Sequence, residues 1–145
     1  MGWRCSQKDV DVGRSPENVE LVRSGYEAWR RGDLEAAVAS FAADFELIEN
    51  PVFPEARSYH GPDEFLAYAR SFLDMWESWE LDVGEILDAG NDVLAFVVWR
   101  VRGRGNGVEA TMPIIHRWTL ADGRVTRLQS YFDRDEALEA IRLRD

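Results

Sequence analysis

The chain has 145 residues, of which 46% are hydrophobic and 30% charged, and 27 acidic residues stand against 17 basic ones. This length predicts one soluble domain with a sizeable core. The net charge of −10 argues against binding to nucleic acids or to anionic membranes, because both need a cationic protein surface. The single cysteine, Cys5, cannot form an internal disulfide, which favours a reduced, cytoplasmic setting.

The first residues differ in character from the rest. Residues 1–14 are polar and show no periodicity, so we expect a flexible leader before a domain at residues 15–145.

The chain carries six tryptophans, seven phenylalanines and four tyrosines. So much flat apolar surface indicates either a bulky core or a pocket lined with aromatic rings, the common wall material for small organic ligands.

Two helices are predicted first. Ser15-Pro16-Glu17 supplies the hydroxyl cap, the proline and the acid of a helix start. Apolar residues at spacings of three and four between Val19 and Trp29 predict one buried face, and Gly32 ends that helix. Asp33 is predicted to cap a second, shorter helix that extends to Phe41.

A strand, a loop and a third helix follow. The alternation in Phe45–Asn50 predicts a strand that Pro51 ends, and residues 52–59 are predicted to form a loop. Gly61-Pro62-Asp63-Glu64 begins the third helix. The residues expected on its inner face are Phe65, Ala69, Phe72, Leu73 and Trp76.

The second half changes to the two-residue period of strands. Four strands are predicted, at Leu81–Ala89 with a bulge near Gly84, at Val93–Arg102, at Val108–Leu120 and at Arg124–Phe132. Asp133 and Glu136 form a capping pair for a short terminal helix. Helices followed by an antiparallel meander predict an α+β fold, in which a long curved sheet leaves a cone-shaped space against three helices.

Six short stretches, in their order and spacing, carry a resemblance to a known family. They are Tyr26–Leu34, Phe41–Phe45, Glu49–Pro51, His60–Phe65, Leu120–Val125 and Tyr131–Asp133. The chain resembles the nuclear transport factor 2-like superfamily, and within it the SnoaL-like polyketide cyclase branch, over about residues 17–140. The resemblance implies a cone-shaped α+β barrel: three N-terminal helices packed on a curved mixed, mostly antiparallel sheet, a short C-terminal helix, and a homodimer. Because that superfamily holds isomerases, cyclases, hydrolases, dehydratases and non-catalytic proteins, the fold alone does not give the function.

The resemblance also allows two known mechanisms to be checked. Ketosteroid isomerases have a general-base aspartate, an oxyanion-binding tyrosine and a protonated aspartate at the positions that Asn50, Gly25 and Ile115 occupy here. Limonene epoxide hydrolases have an arginine and two aspartates at the positions of Val97, Trp99 and Ser130. Both sets of catalytic residues are missing from this chain, which argues against both mechanisms.

Strand alternation predicts which side chains face the enclosed space. If Trp99 faces inward, so do Val93, Ala95, Val97 and Val101. The expected pocket walls are Tyr26, Trp29, Phe41, Ile48, Phe72, Trp76, Trp99, Met112, Ile114, Trp118 and Phe132. His116, Asn50 and Ser130 are the polar side chains expected among them.

Each polar candidate has a functional and a structural interpretation. His116 is the best acid–base candidate, because imidazole exchanges a proton near neutral pH, but it could equally be a strand histidine bonded to a neighbour. Asn50 could bind a ligand carbonyl or satisfy the backbone at the strand end. Tyr26 could present its phenol to a ligand or only bury its ring. Ser130 has no base beside it in the pattern and is not expected to be a nucleophile.

Other polar residues are weaker candidates. Glu46 or Glu49 could point inward from the first strand, which would make Glu46 a rival base. A turn or capping role is the simpler interpretation for His60 and for Asp133. The residues Arg100, Arg102 and Arg104 are expected to form a solvated, ion-paired face.

No cofactor or metal is expected. The two histidines, His60 and His116, lack a Glu-x-x-His or Cys-x-x-Cys partner, and the glycine-rich loop at residues 103–107 lacks the lysine and helix of a phosphate loop. One hypothesis is therefore a cofactor-independent enzyme that moves a proton on a small apolar or amphipathic molecule, in isomerisation, cyclisation or dehydration. The alternative is a non-catalytic binding or accessory protein that uses the same pocket.

Overall fold

A computed structural model of the chain describes residues 14–52 and 56–143. Its elements in chain order are α1 (Pro16–Arg30), α2 (Leu34–Ala37), β1 (Phe41–Ile48), β2 (Ser58–His60), α3 (Gly61–Asp74), β3 (Trp76–Ala89), β4 (Asp92–Gly103), β5 (Glu109–Ala121), β6 (Arg124–Tyr131) and α4 (Arg134–Leu143). The predicted α+β class, with three helices before the long strands and one after them, is confirmed. The expected leader lies almost wholly outside the described residues.

Side-chain caps begin three of the helices where the sequence predicts. The Ser15 hydroxyl accepts a hydrogen bond from the Asn18 backbone N–H at 3.3 Å, and the Asp33 carboxylate accepts one from the Ala36 N–H at 3.1 Å. Asp133 does the same for the Glu136 N–H at 2.9 Å, at the start of α4. These bonds satisfy N–H groups that have no partner within the helix, so the starts are fixed locally.

The six strands form one mixed sheet in the order β2-β1-β6-β5-β4-β3. Among the described strands only the β1–β6 pair is parallel, and the other neighbouring pairs are antiparallel. The pairing of β3 with β4 shifts register between Val83 and Ile86, which confirms the predicted bulge near Gly84. A bulge increases the local twist and bends the strand, so the long hairpin can curve around the helices.

Several predicted boundaries are wrong. Phe41 begins β1 instead of ending α2, and Trp76 begins β3, where it pairs with Gly103, instead of ending α3. The edge strand β2, Ser58–His60, begins inside the loop predicted at residues 52–59. Phe41 and Trp76 fit the apolar spacing of the preceding helix, but pairing with a neighbouring strand decides their conformation instead.

The main core lies between the helices and the inner face of the sheet. The predicted inward set on β4 is confirmed, because its members are all 5% exposed or less: Val93, Ala95, Val97, Trp99 and Val101. On the other face, Leu94 of β4 packs with Ala137 and Ile141 of α4 in a smaller cluster. No helix among the described residues is both long enough and apolar enough to span a membrane.

The start of α1 is tied to the turn between β3 and β4. The Ser15 backbone N–H donates to both carboxylate oxygens of Asp88, at 2.8 and 2.9 Å, and the Asn18 side chain donates to the Gly90 carbonyl at 2.9 Å. These bonds join residues more than 70 positions apart in the chain. They hold α1 over the inner face, where its buried side presents Val22 and Tyr26.

We predict a large loss of stability for Phe45→Ala. The Phe45 ring is fully buried and stacks on Phe41 with ring centroids 4.3 Å apart. Removing it would leave a cavity and cost about 3–5 kcal/mol in the free energy of unfolding, measured by urea denaturation. The control is Met75→Ala, since Met75 is 57% exposed. Equal effects of the two substitutions would contradict the position assigned to the core.

Candidate functional site

A cavity of about 190 Å³ lies between the inner face of the sheet and the helices α1, α2 and α3. Most of its wall is apolar, with aromatic rings from Trp29, Phe65 and Trp99. Six polar side chains also border it: Ser24, Tyr26, Ser40, Tyr68, His116 and Ser130. Among the residues that the structure describes, no aspartate, glutamate, lysine or arginine borders this cavity. It is therefore an uncharged hollow in a strongly acidic protein.

The structure brings nine of the predicted site residues to this cavity and leaves five outside it. The nine are Tyr26, Trp29, Phe41, Phe72, Trp99, Ile114, His116, Trp118 and Ser130. The five that do not border it are Ile48, Asn50, Trp76, Met112 and Phe132. The prediction that these five residues line the cavity is therefore wrong.

On β1 the residues that face the cavity are the alternate set to the one predicted. Leu47 pairs with the inward-facing Leu128 in the parallel β1–β6 ladder, so Leu47 and not Ile48 borders the cavity. Asn50 lies beyond the end of β1. Its side-chain amide donates to the Ser130 carbonyl at 2.9 Å, and its side-chain oxygen accepts from the Val52 N–H at 2.9 Å. These two bonds agree with the structural interpretation of Asn50, in which its side chain hydrogen-bonds to backbone groups at the end of a strand.

The other three residues lie outside the cavity at separate places in the fold. Trp76 packs against Phe72 and borders a second, open hollow of about 350 Å³ between α3 and β3. Met112 is half-buried and packs against the edge of the core. Phe132 follows the end of β6 and is 47% exposed, so its ring lies on the surface.

A chain of hydrogen bonds at the cavity wall joins three aromatic side chains. Trp118 Nε1 lies 2.8 Å from the Tyr26 hydroxyl oxygen, and that oxygen lies 2.6 Å from His116 Nδ1. The Tyr26 and His116 rings are nearly parallel, with an interplanar angle of 8°. His116 and Trp118 are two positions apart on β5 and so share its inner face, while Tyr26 reaches them from α1.

The direction of this chain follows from the chemistry of its members. The indole N–H can only donate, so the Tyr26 oxygen accepts from Trp118. Burial raises the pKa of Tyr26 above its ordinary value, against a smaller opposite effect of the Trp118 hydrogen bond, and the phenol therefore keeps its proton. Of the two groups that hydrogen-bond to this phenol, only His116 Nδ1 can accept its proton, so we infer that the proton is donated there and that the ring proton of a neutral His116 is on Nε2.

Burial also lowers the pKa of His116 to about 4, so the imidazole is neutral near pH 7. The lone pair on Nδ1 is occupied by the Tyr26 hydroxyl, and Nε2 carries a proton. In this state His116 is a hydrogen-bond donor and not a ready base. A fixed donor beside an apolar cavity can bind a carbonyl oxygen and stabilise negative charge that develops on it.

Tyr68 also borders the cavity and was missed by the pocket prediction. It lies on α3 three positions after Phe65 and four before Phe72, within the apolar helical face, and that spacing could have indicated it. Its pKa is raised to about 12, first by burial and then by the negative charge and hydrogen bonding of Glu49.

Glu46, which the sequence offers as a rival base, does not border the cavity. Its Oε2 atom lies 3.5 Å from His60 Nε2 at the edge of the sheet.

The remaining polar candidates lie in structural interactions. Arg100 pairs with Asp82 at 2.6 Å and Arg102 with Glu109 at 2.8 Å, which confirms an ion-paired face there. Arg104 donates to the Asp74 carbonyl at 2.7 Å. Within the described ranges, no group of three or more histidine, cysteine, aspartate or glutamate side chains could hold a metal ion.

We predict that acid destabilises the protein partly through His116. An unfolded histidine has a pKa of about 6.5, so the unfolded chain binds this proton first as the pH falls. The contribution is fully present above about pH 6.5 and is lost as the pH falls toward 4. Between about pH 7 and about pH 5, the free energy of unfolding should fall by on the order of 1 kcal/mol more in the wild type than in His116→Gln.

Urea denaturation at each pH measures this difference. His60→Gln is the matched control, since His60 is exposed and lies at the start of α3, away from the cavity. An equal acid dependence in the wild type and in His116→Gln would contradict a neutral, buried His116.

The sequence matches a known protein family. The family model of the SnoaL-like domain covers residues 22–128. No curated protein sequence matches the chain significantly. An NTF2-like protein of unknown function from Burkholderia pseudomallei is 27% identical, with a TM-score of 0.71 over 88% of this chain and 98% of that one.

Two further solved structures contain small molecules. TerC, co-crystallised with polyporic acid, is 23% identical, with a TM-score of 0.70 over 86% of this chain and 98% of that one. A protein of ketosteroid isomerase-like fold from Catenulispora acidiphila, in complex with trimethylamine, is 18% identical, with a TM-score of 0.68 over 79% of this chain and 86% of that one. These two show that the fold is shared. The family match and the fold together establish that the chain belongs to the SnoaL-like domain family.

Proposed function

We propose that the cavity binds a small, uncharged, largely apolar molecule whose carbonyl oxygen accepts a hydrogen bond from His116 Nε2–H. The observation that carries this proposal is the Trp118–Tyr26–His116 chain at the wall of an otherwise apolar cavity. Ligand sites are typically apolar cavities with a small number of polar groups, because the apolar walls supply affinity and the polar groups fix the orientation of the ligand.

We further propose that the chemistry is proton transfer without a cofactor, of the isomerase, cyclase or dehydratase kind. Because no described carboxylate borders the cavity, the base in this step is water or hydroxide from solvent, which takes a proton from the carbon next to the carbonyl. The electron pair of that C–H bond moves into the enolate and places negative charge on the oxygen. A donor already held in position stabilises that charge, since it need not reorganise during the reaction. Tyr26 and Trp118 would act by holding His116 in the donor state.

The relatives support a small-molecule site without identifying this one. TerC was crystallised with polyporic acid and the Catenulispora acidiphila protein with trimethylamine. A non-catalytic protein that binds a small molecule in the same cavity is the alternative. The homodimer and the cytoplasmic location stay predictions.

A matched pair of bicyclic probes tests the binding proposal. The ketone α-tetralone and the hydrocarbon tetralin share a skeleton and differ in the carbonyl. We expect the wild type to bind the ketone about fivefold more tightly than the hydrocarbon, as one added hydrogen bond allows. In His116→Leu this preference should disappear while tetralin still binds, as measured by quenching of tryptophan fluorescence.

His60→Leu is the control and should keep the preference, because His60 does not border the cavity. If His116→Leu keeps it too, the assignment of the donor is wrong. Faster exchange of the protons next to the ketone for deuterium in the presence of the wild type, followed by NMR, distinguishes an enzyme from a binding protein.

A further inference from the structure

The cavity reaches past the flank of helix α1. Ser24 borders the cavity, yet it is exposed to solvent. It lies two positions from Val22 and from Tyr26, which are buried on the inner side of the helix, and two positions correspond to about 160° around the helix axis. A residue on that side borders the cavity because the cavity extends beside α1 toward the outer surface.

Helix α2 repeats this arrangement on the other side of the groove between the two helices. Ala36 borders the cavity and is exposed, while Leu34, two positions earlier, is buried in the core. The helices come close at Gly25, where an added Cβ atom would lie 3.6 Å from the Ala37 carbonyl oxygen. Gly25 and Ala37 also border the cavity. The cavity therefore continues outward between α1 and α2.

Helix α2 is held by local bonds and by two buried side chains. It is a single turn of four residues, and the Val38 N–H at its end donates to the Leu34 carbonyl at 3.2 Å. Leu34 and Val38 are buried in the core. The ion pair of α2 with α3, between Glu35 and Arg70 at 3.7 Å, is exposed on both sides and contributes little stability. A segment held in this way opens locally at a low cost in free energy.

We propose that a ligand enters and leaves the cavity between α1 and α2, through a portal bordered by Ser24 and Ala36, and that outward movement of α2 widens this portal. The inference rests on the proposed function in one respect, namely that the cavity takes a small apolar molecule, and it does not depend on His116.

The position of the portal separates its effect on rates from any effect on affinity. Ser24 and Ala36 lie on the outward sides of their helices, away from the Trp118–Tyr26–His116 chain on the inner wall. A portal sets the height of the barrier that a ligand crosses, and the bound state is the same on either side of that crossing. Bulk added at the portal should therefore slow binding and release by the same factor and leave the affinity unchanged.

Ala36→Phe and Ser24→Phe test the portal, with tetralin as the probe. Rapid mixing followed by tryptophan fluorescence gives both rate constants, because Trp29, Trp99 and Trp118 border the cavity. We expect each substitution to lower the association and dissociation rate constants about tenfold, since a bulky ring must move aside at each crossing, and to change Kd by less than about twofold. Both positions are exposed, so the variants should fold, and each variant tests the portal independently of the other.

Ala39→Phe is the matched control, because it makes the same change three positions after Ala36, at an exposed residue that does not border the cavity. It should bind and release tetralin at the wild-type rates. If the portal variants also keep the wild-type rates, or if they release tetralin faster than the wild type does, the portal is wrong and the proposed function stands. If the wild type does not bind tetralin at all, the proposed function fails, and this inference fails with it.

Discussion

The hydrogen bonds from Trp118 through Tyr26 to His116 connect helix α1 to strand β5 at the cavity wall. A phenol and an imidazole placed in an apolar interior are costly unless their polar atoms are paired. The indole only donates, so the phenol oxygen accepts from Trp118, and within this chain only His116 Nδ1 can accept the phenol proton. The lowered pKa of His116 and the raised pKa of Tyr26 both follow from the same burial, so the neutral state is the stable one. The proposed role of His116 depends on this constraint, because it sets which ring nitrogen of His116 has a proton to donate to a ligand.

The distribution of charge is consistent with an uncharged ligand. The protein carries a net charge of −10, yet no charged side chain of residues 14–52 and 56–143 borders the cavity, and several such side chains pair on the outer surface, as Arg100 does with Asp82. Apolar walls with a few uncharged polar side chains favour neutral molecules, because an ion would lose its hydration without a partner. The same features that define the binding site thus limit its chemistry to groups that hydrogen-bond without charge.

Local patterns in the sequence predicted most of the fold but only part of the site. The caps at Ser15, Asp33 and Asp133 are short-range and were readable, as was the inward face of β4, which is apolar along its whole length. Phe41 and Trp76 were misplaced because their spacing suits the preceding helix and only pairing with a distant strand excludes it. Ile48 was assigned inward in place of Leu47 because the register of the parallel β1–β6 pair is not written in either strand alone. Tyr68 was missed although its spacing on α3 matches the apolar face that Phe65 and Phe72 define.

The tautomer of His116 tests the central claim most directly. Nitrogen chemical shifts of the imidazole ring distinguish Nε2–H from Nδ1–H and both from the imidazolium ion. The structure predicts a neutral ring near pH 7 with the proton on Nε2, because Nδ1 accepts from the Tyr26 hydroxyl. A proton on Nδ1, or a charged ring near pH 7, would contradict the hydrogen-bond chain and the binding role derived from it.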